Sequence, residues 1–263
     1  MEIWKPNRIE PETLLHARIG PLALWLRRVG EELHIAAKRL DAEEPEQAAR
    51  QLAQVEGAPP DDLDWGRWIV GEQAGTVQLV PVTPDRPVVV RPESPVKVPP
   101  NRQALFFVSI PLWVRVVAGE AEKVTLCEEP CVVLSNIWFG DPMSGELCYS
   151  LRTRARSRVA DSEARPHLAI CPVRIHNKAA AQLDVQRFCV RVEHLRVYDG
   201  AAQPWTNEVS VTFRGEDEAS QLDYAQEPPA FEPVGGLLSD ARSPLKKGLL
   251  KKTVGGLRHF TGI

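Results

Sequence analysis

WFGDPMSGELCYSLRTRARSRV, residues 138–159, reads as a turn followed by a strand. Gly140-Asp141-Pro142 and Ser144-Gly145 are breaker residues set between two hydrophobic runs, where a chain reverses. After them Arg152, Arg154, Arg156 and Arg158 alternate with Thr153, Ala155, Ser157 and Val159. Residues two apart in a β-strand project from the same face, so this spacing gathers four guanidinium groups on one side and small residues on the other. On a helix the same arginines would scatter around the cylinder. Four cations in a row either meet Glu and Asp from neighbouring strands or are offered to an anion. Exposed cross-strand pairs contribute only about 0.2–1 kcal/mol each, so stability alone hardly explains four in register. Both readings stay open at this point.

The sequence around this stretch is dense in short strands. A chain of 263 residues is long enough for one large domain or two small ones, and folding at this size hides roughly 70–75% of the unfolded surface. Hydrophobic residues at 43% and charged ones at 25% suit a soluble globular protein. Its 23 prolines exceed the usual share of about 5% and punctuate the segments. Candidate strands fall at 67–71, 76–82, 86–91, 95–98, 104–117, 122–127, 131–135, 146–158, 167–176, 184–198 and 207–214. Alternation is clearest in Phe106, Val108, Ile110, Leu112, Val114 and in Val209, Val211, Phe213. Strands at this spacing, with turn signals and no intervening helices, predict a mostly β fold, an antiparallel β-sandwich. The inward parity set by Phe188, Val190 and Val192 switches to Leu195 and Val197, which predicts a β-bulge near Glu193-His194-Leu195.

Upstream, residues 19–40 read either as a helix interrupted by Gly30 or as a hairpin: Leu22, Leu24, Leu26, a turn at Val29-Gly30-Glu31, then Leu33, Ile35, Ala37. The hairpin is the preferred reading. EEPEQAARQLAQ, residues 43–54, has good helix formers with Pro45 in the first turn, and predicts a helix. The expected organisation is a small hairpin-plus-helix part over 1–65, the β-sandwich over 66–229, and a linker with a basic tail over 230–263.

Charge and chemistry exclude several classes. A net charge of −3 is incompatible with a strongly basic, whole-surface nucleic-acid binder. No apolar run reaches the 18 residues or so of a membrane span and the N-terminus lacks a signal-type core, so a cytoplasmic protein is expected. Cys127, Cys131, Cys148, Cys171 and Cys189 are odd in number and lie mostly in apolar runs, as reduced buried thiols do. Cys127-Glu-Glu-Pro-Cys131 has the spacing of one zinc knuckle but no second one follows, so no metal and no cofactor is expected. There is no nucleophile elbow, P-loop or dinucleotide fingerprint. His176 and His194 are single imidazoles near strand ends. Asp141 and Glu146 form a loosely spaced carboxylate pair, which with His176 gives the alternative reading: a hydrolase or carbohydrate-active enzyme. Trp113, Trp138-Phe139 and Trp205 read first as core and corner residues, and second as a ligand platform.

LSNIWFGDPMSGELCYSLRTRAR, the later CPVRIHN, and PVVVRPESPVKVPP ahead of FVSIPLWVRV resemble an uncharacterised bacterial and archaeal family, domain of unknown function 432. The resemblance covers Gly20 to about Pro229. The family has no established activity and so implies no catalytic residue. It implies a membrane-protein partner, because its members accompany small-conductance mechanosensitive channels. Cys127 and Cys131 stand outside the family pattern.

The last segment, SPLKKGLLKKTVGGLRHFTGI, is basic and has no acidic residue. On a helical wheel Leu245, Leu249, Leu250, Val254, Leu257 and Phe260 fall within one half, with Lys247, Lys251, Lys252, Arg258 and His259 in the other and Lys246 misplaced. That is the pattern of an interfacial helix for a membrane surface or a partner's groove. Gly248, Gly255 and Gly256 each cost roughly 1 kcal/mol in a helix, so a solvated tail is the alternative. The function expected from sequence is a non-enzymatic cytosolic binding or regulatory module. It docks on an anionic surface or on a membrane-protein partner, which the resemblance implies is a mechanosensitive channel, through the arginine row and the tail.

Overall fold

Gly30 adopts φ +58° between two antiparallel strands that pair from Leu22↔Arg39 to Val29↔Glu32, and this closes residues 19–40 into the hairpin rather than a helix. A Cβ there would be strained, so glycine suits the turn. The computed structural model describes residues 1–40, 49–159, 165–215, 218 and 220–245. Within them the chain is mostly β and separates into two compact units. One takes Met1–Val82, Pro111–Val133 and Glu163–Leu168, the other Thr83–Ile110, Leu134–Ser162 and Ala169–Ile263, in each case as far as the described residues go.

The first unit holds two antiparallel sheets. Five strands run in the order β5 (Arg50–Val55), β2 (Leu14–Ile19), β3 (Leu22–Val29), β4 (Glu32–Arg39), β6 (Trp65–Ile69). Four more run β1 (Asn7–Arg8), β7 (Thr76–Val82), β11 (Trp113–Ala118), β12 (Val124–Pro130). The helix expected over 43–54 is overturned in its described part, because Arg50–Val55 is a strand on the edge of β2. Leu52 sits opposite Ala17, which sits opposite Leu24, and all three are buried. Burying a leucine is worth about 1.5–3 kcal/mol, while the propensity differences that favour helix are tenths of that per residue. The packing wins. Residues 43–48 lie outside the described residues.

The second unit holds a four-stranded sheet, β13 (Ser135–Phe139), β14 (Glu146–Ala155), β8 (Val88–Pro92), β17 (Phe188–Val190). A larger one runs β21 (Gln221–Tyr224), β20 (Val209–Phe213), β15 (Leu168–Asn177), β19 (Trp205–Thr206), β18 (Val197–Gly200), β22 (Val234–Ser239), with β10 (Gln103–Pro111) also on β15. A ribbon of β9 (Val96–Val98) and β16 (Leu183–Val185) completes it. These sheets are mixed rather than purely antiparallel, since β14 runs parallel to β8 and β15 parallel to β19 and β20. The bulge expected near Glu193 is instead a 3-10 turn, Val192–His194, lying between β17 and β18. Both devices reset strand parity, and the turn does so by ending one strand and starting another. One apolar cluster takes Val88, Val90, Leu151 and Phe188 from the four-stranded sheet and Phe106, Val173, Val209 and Val211 from the larger one.

Candidate functional site

The four-stranded sheet of the second unit turns its Val88, Val90, Leu151 and Val190 side toward that cluster. Period-two alternation sends Cys148, Ser150, Arg152 and Arg154 of β14 to the opposite side, with Val89 and Arg91 of β8. Cys189, together with Arg187 two residues before it, faces the same way. This outer face is built in zones. Val89, Phe139, Cys148 and Cys189 form a small apolar cluster with Ile137 packed on it. Beside it opens a cavity of about 420 Å3 lined by Arg91, Arg152, Arg154 and Arg187, with Ser150, Val89, Ile137 and Leu151.

Strand register explains the concentration of charge. β14 and β8 run parallel with Arg154 opposite Arg91, and Cys189 of β17 lies opposite Val89, so Arg187 continues the row on the other side of Arg91. Between Ser150↔Val89 and Arg154↔Arg91 the ladder slips: Leu151–Thr153 face Val90 alone. Two extra residues preserve parity, which keeps Arg152 on the cationic face while bowing β14 there. Thr153 holds the bowed segment by donating from Oγ1 to the Ser109 carbonyl at 3.2 Å. Like charges on paired strand positions are unfavourable. Among the described residues Arg91, Arg152 and Arg154 have no carboxylate within ion-pair distance, and none lines the cavity. Arg187 lies 5.5 Å over the Phe139 ring.

The row of four read from the sequence therefore divides. Arg152 and Arg154 line the cavity. β14 ends at Ala155, and Arg156 leaves the row to bridge Phe107 and pair with Glu93 at 3.1 Å. Arg158 lies beyond the strand and is exposed. Sequence reasoning missed Arg91 and Arg187. The signal for Arg91 was an arginine closing the apolar run PVVVRP, but its meaning depends on a parallel partner far along the chain.

The other end of the same face carries an ion pair and two thiols. Arg191 donates to both carboxylate oxygens of Glu146, at 2.5 and 2.8 Å, and lies 3.8 Å from Glu193. Burial opposes the Arg191 charge, and the Glu146 pairing more than restores it, leaving its pKa raised. Cys148 and Cys189 place their sulfurs 3.9 Å apart. The hydrogen bond with Cys148, then burial, pushes the Cys189 thiol up. Glu146, Cys148 and Cys189 bring their donor atoms within 4.8 Å of one another, the one such trio of metal-ligating groups among the described residues. Arg191 already occupies both oxygens of that carboxylate, and the raised Cys189 pKa disfavours the thiolate a metal needs.

The remaining candidates are dispersed. Asp141 shapes the hairpin turn: its Oδ1 accepts from the Met143 amide at 2.8 Å, and its carbonyl accepts from Gly145 N and Trp138 Nε1. A Cβ on Gly145 would come within 2.5 Å of Trp138 Nε1, so this approach of indole to backbone requires glycine. His176 sits on β15 opposite Thr212 in the larger sheet. Asp141, Glu146 and His176 do not line the arginine cavity. His194 donates from Nδ1 to the Ser243 carbonyl. In the first unit, burial and the charges of Glu128 and Glu129 push Cys127 up to about 12, and burial alone pushes Cys131 to the same value. Trp205 is fully buried against Phe107, Trp113 is half-buried on β11, and Trp138 is exposed beside Leu147. The tail residues Lys246, Lys247, Leu249, Leu250, Lys251, Lys252 and Phe260 lie outside the described residues.

Residues 3–258 match the model of the family described as Protein of unknown function (DUF432). The chain belongs to the DUF432 family. No curated protein and no solved structure matches this DUF432 chain. Among its described residues no helix is long and apolar enough to cross a membrane.

Proposed function

We propose that this protein is a non-enzymatic binding module whose site is the arginine cavity of the second unit, and that its ligand or partner presents an anion there. One observation carries the reading: Arg154 and Arg91 stand opposite each other on paired strands, with Arg152 and Arg187 beside them and no carboxylate in the cavity wall. A protein gains nothing in stability from such a row, whereas an oxyanion bound to several planar guanidinium forks is held by charge-assisted hydrogen bonds. The hydrolase alternative has less support, because Asp141 is engaged in a turn, Glu146 in an ion pair, and His176 stands in another sheet.

The finer architecture belongs to the same proposal. We read the second unit as a β-sandwich, supported by a single apolar cluster that draws on its four-stranded and its larger sheet. The cytosolic setting, the membrane-channel partner implied by the family resemblance, and the membrane or groove contact of the tail are proposed with it. The test is calorimetric titration of the full-length protein with inorganic phosphate, alongside the double variant Arg91→Gln/Arg154→Gln. Saturable binding that the double variant loses is expected. Equal binding by the two proteins would refute the site.

A further inference from the structure

We infer that the exposed apolar face of the β13–β14 hairpin is a docking surface, and that its occupant is the leucine-bearing segment of the same chain that follows Leu245; this rests on the groove contact proposed for the tail and makes that groove the chain's own. Trp138 and Leu147 stand opposite each other on the paired strands and are 48% and 44% exposed, while Met143 in the turn is 93% exposed. The indole is held in place. Its Nε1 donates to the Asp141 carbonyl at 3.1 Å, the Met143 amide donates to the Asp141 carboxylate, and Gly145 leaves the room that the ring needs. A turn that fixes a half-exposed tryptophan offers a pre-ordered aromatic anchor, the kind of side chain that dominates binding when a partner covers it. This face is separate from the arginine cavity, which neither Trp138 nor Leu147 lines.

Three features select the tail as occupant. The first is where the described chain ends. Arg242 donates from Nε to the Thr83 carbonyl, the Ser243 amide donates to the Glu193 carbonyl, and Leu245 packs against the same large apolar cluster as Tyr149. Leu147 lies two residues from Tyr149 on that side of β14. Val190 of β17 pairs with Val88, which pairs with Tyr149, and the chain then runs on past Arg191 to Glu193 toward the end where β14 begins, as the Arg191–Glu146 ion pair shows. Two strand spacings separate β17 from β14, about 10 Å, and four extended residues span about 13 Å, so Leu249 and Leu250 come within reach of Leu147 and Trp138. The second is charge. Residues 135–149 carry Asp141 and Glu146 and no Lys or Arg, whereas residues 246–260 carry Lys246, Lys247, Lys251, Lys252 and Arg258 and no acid. The third is tethering: a segment joined this closely reaches an effective concentration on the order of mM, which a separate molecule rarely matches.

The test is hydroxyl-radical footprinting of the full-length protein, read by mass spectrometry. Trp138 and Leu147 are expected to label about threefold slower or more in the wild type than in Leu249→Ser/Leu250→Ser, while half-buried Trp113 of the first unit labels equally in both. Far-UV circular dichroism verifies that the variant is folded. The reciprocal variant Trp138→Ala is expected to speed the labelling of Leu249 and Leu250. Protection of Trp138 should be the same at about 1 and about 50 µM protein, since the contact is within one chain. Protection that grows with concentration would assign the face to a second copy and overturn the inference. Equal labelling of Trp138 in the wild type and the tail variant would overturn it as well. Co-sedimentation with vesicles of phosphatidylcholine and about 20 mol% phosphatidylserine then separates the two failures. Vesicle binding that needs Leu249 and Leu250 would leave a membrane contact of the tail standing, and no vesicle binding would remove that contact too.

Discussion

Replacing Arg154 by Gln should stabilise the ligand-free protein. Arg154 faces Arg91 directly across paired strands and has Arg152 two residues away on the same side. With Cα atoms of neighbouring strands about 4.8 Å apart and guanidinium groups splayed to about 7 Å, an effective dielectric of about 40–80 gives about 0.6–1.2 kcal/mol of repulsion per pair. Two such neighbours make about 1–2 kcal/mol, and in a chain of this size each kcal/mol moves the melting temperature by roughly 2–4 °C. Gln retains part of the aliphatic stem, so little packing is lost from an exposed side chain. Differential scanning calorimetry at low ionic strength should therefore show Arg154→Gln melting about 2–8 °C above the wild type. In 1 M NaCl, where the Debye length is about 3 Å, most of that difference should vanish. Saturating phosphate should reverse its sign, since a ligand at about 100 times its Kd stabilises the binding-competent form by about 2.7 kcal/mol. A variant that melts lower at low salt, or a difference indifferent to salt, would mean instead that Arg154 is paired within the fold.

Three other outcomes follow from the structure. Leu52→Ala should cost about 2–4 kcal/mol by urea denaturation, because Leu52 is buried opposite Ala17, while exposed Gln51→Ala should stay within about 0.5 kcal/mol; comparable small effects would restore a helix there. Glu32 accepts from Arg67 and from His34, and the Arg67 hydrogen bonds above all hold its carboxyl down at about 2. Its folded pKa is depressed, so its contribution is present above the ordinary value of about 4.5 and is lost as pH falls toward 2; Glu32→Gln should flatten the acid-unfolding profile in that window, and an unchanged profile would contradict the pairing. Burial pushes the Cys131 and Cys171 thiols up to about 12. At pH 8 both should react with a disulfide reagent on the order of 10³-fold slower than in urea, and fast labelling of either in the folded protein would count against its burial.

Local chemistry was legible in the sequence where neighbours in the chain are also neighbours in space. Gly30 between two alternating runs marked the hairpin, and the Arg152–Arg158 spacing marked one strand face. The segment AARQLAQ reads as helix by propensity, because nothing within it reveals that Leu52 completes a row with Ala17 and Leu24. The parity switch around Glu193 was visible, but a bulge and a 3-10 turn leave the same trace. The site was half legible for a related reason. Arg152 and Arg154 could be placed on one face, but Arg91 and Arg187 join them only through a parallel pairing and a strand that arrives late in the chain. Alternation likewise said nothing of where the row stops, which the departure of Arg156 to Phe107 and Glu93 decides.

An anion in the arginine cavity is seen most directly in a crystal of the protein soaked in tungstate, with the anomalous signal located by diffraction at the tungsten edge. A peak is expected in the cavity within hydrogen-bonding reach of Arg91 and Arg154, absent from crystals of Arg91→Gln/Arg154→Gln. A cavity free of tungsten while the anion occupies sites elsewhere on the protein, or a peak that survives in the double variant, would contradict it.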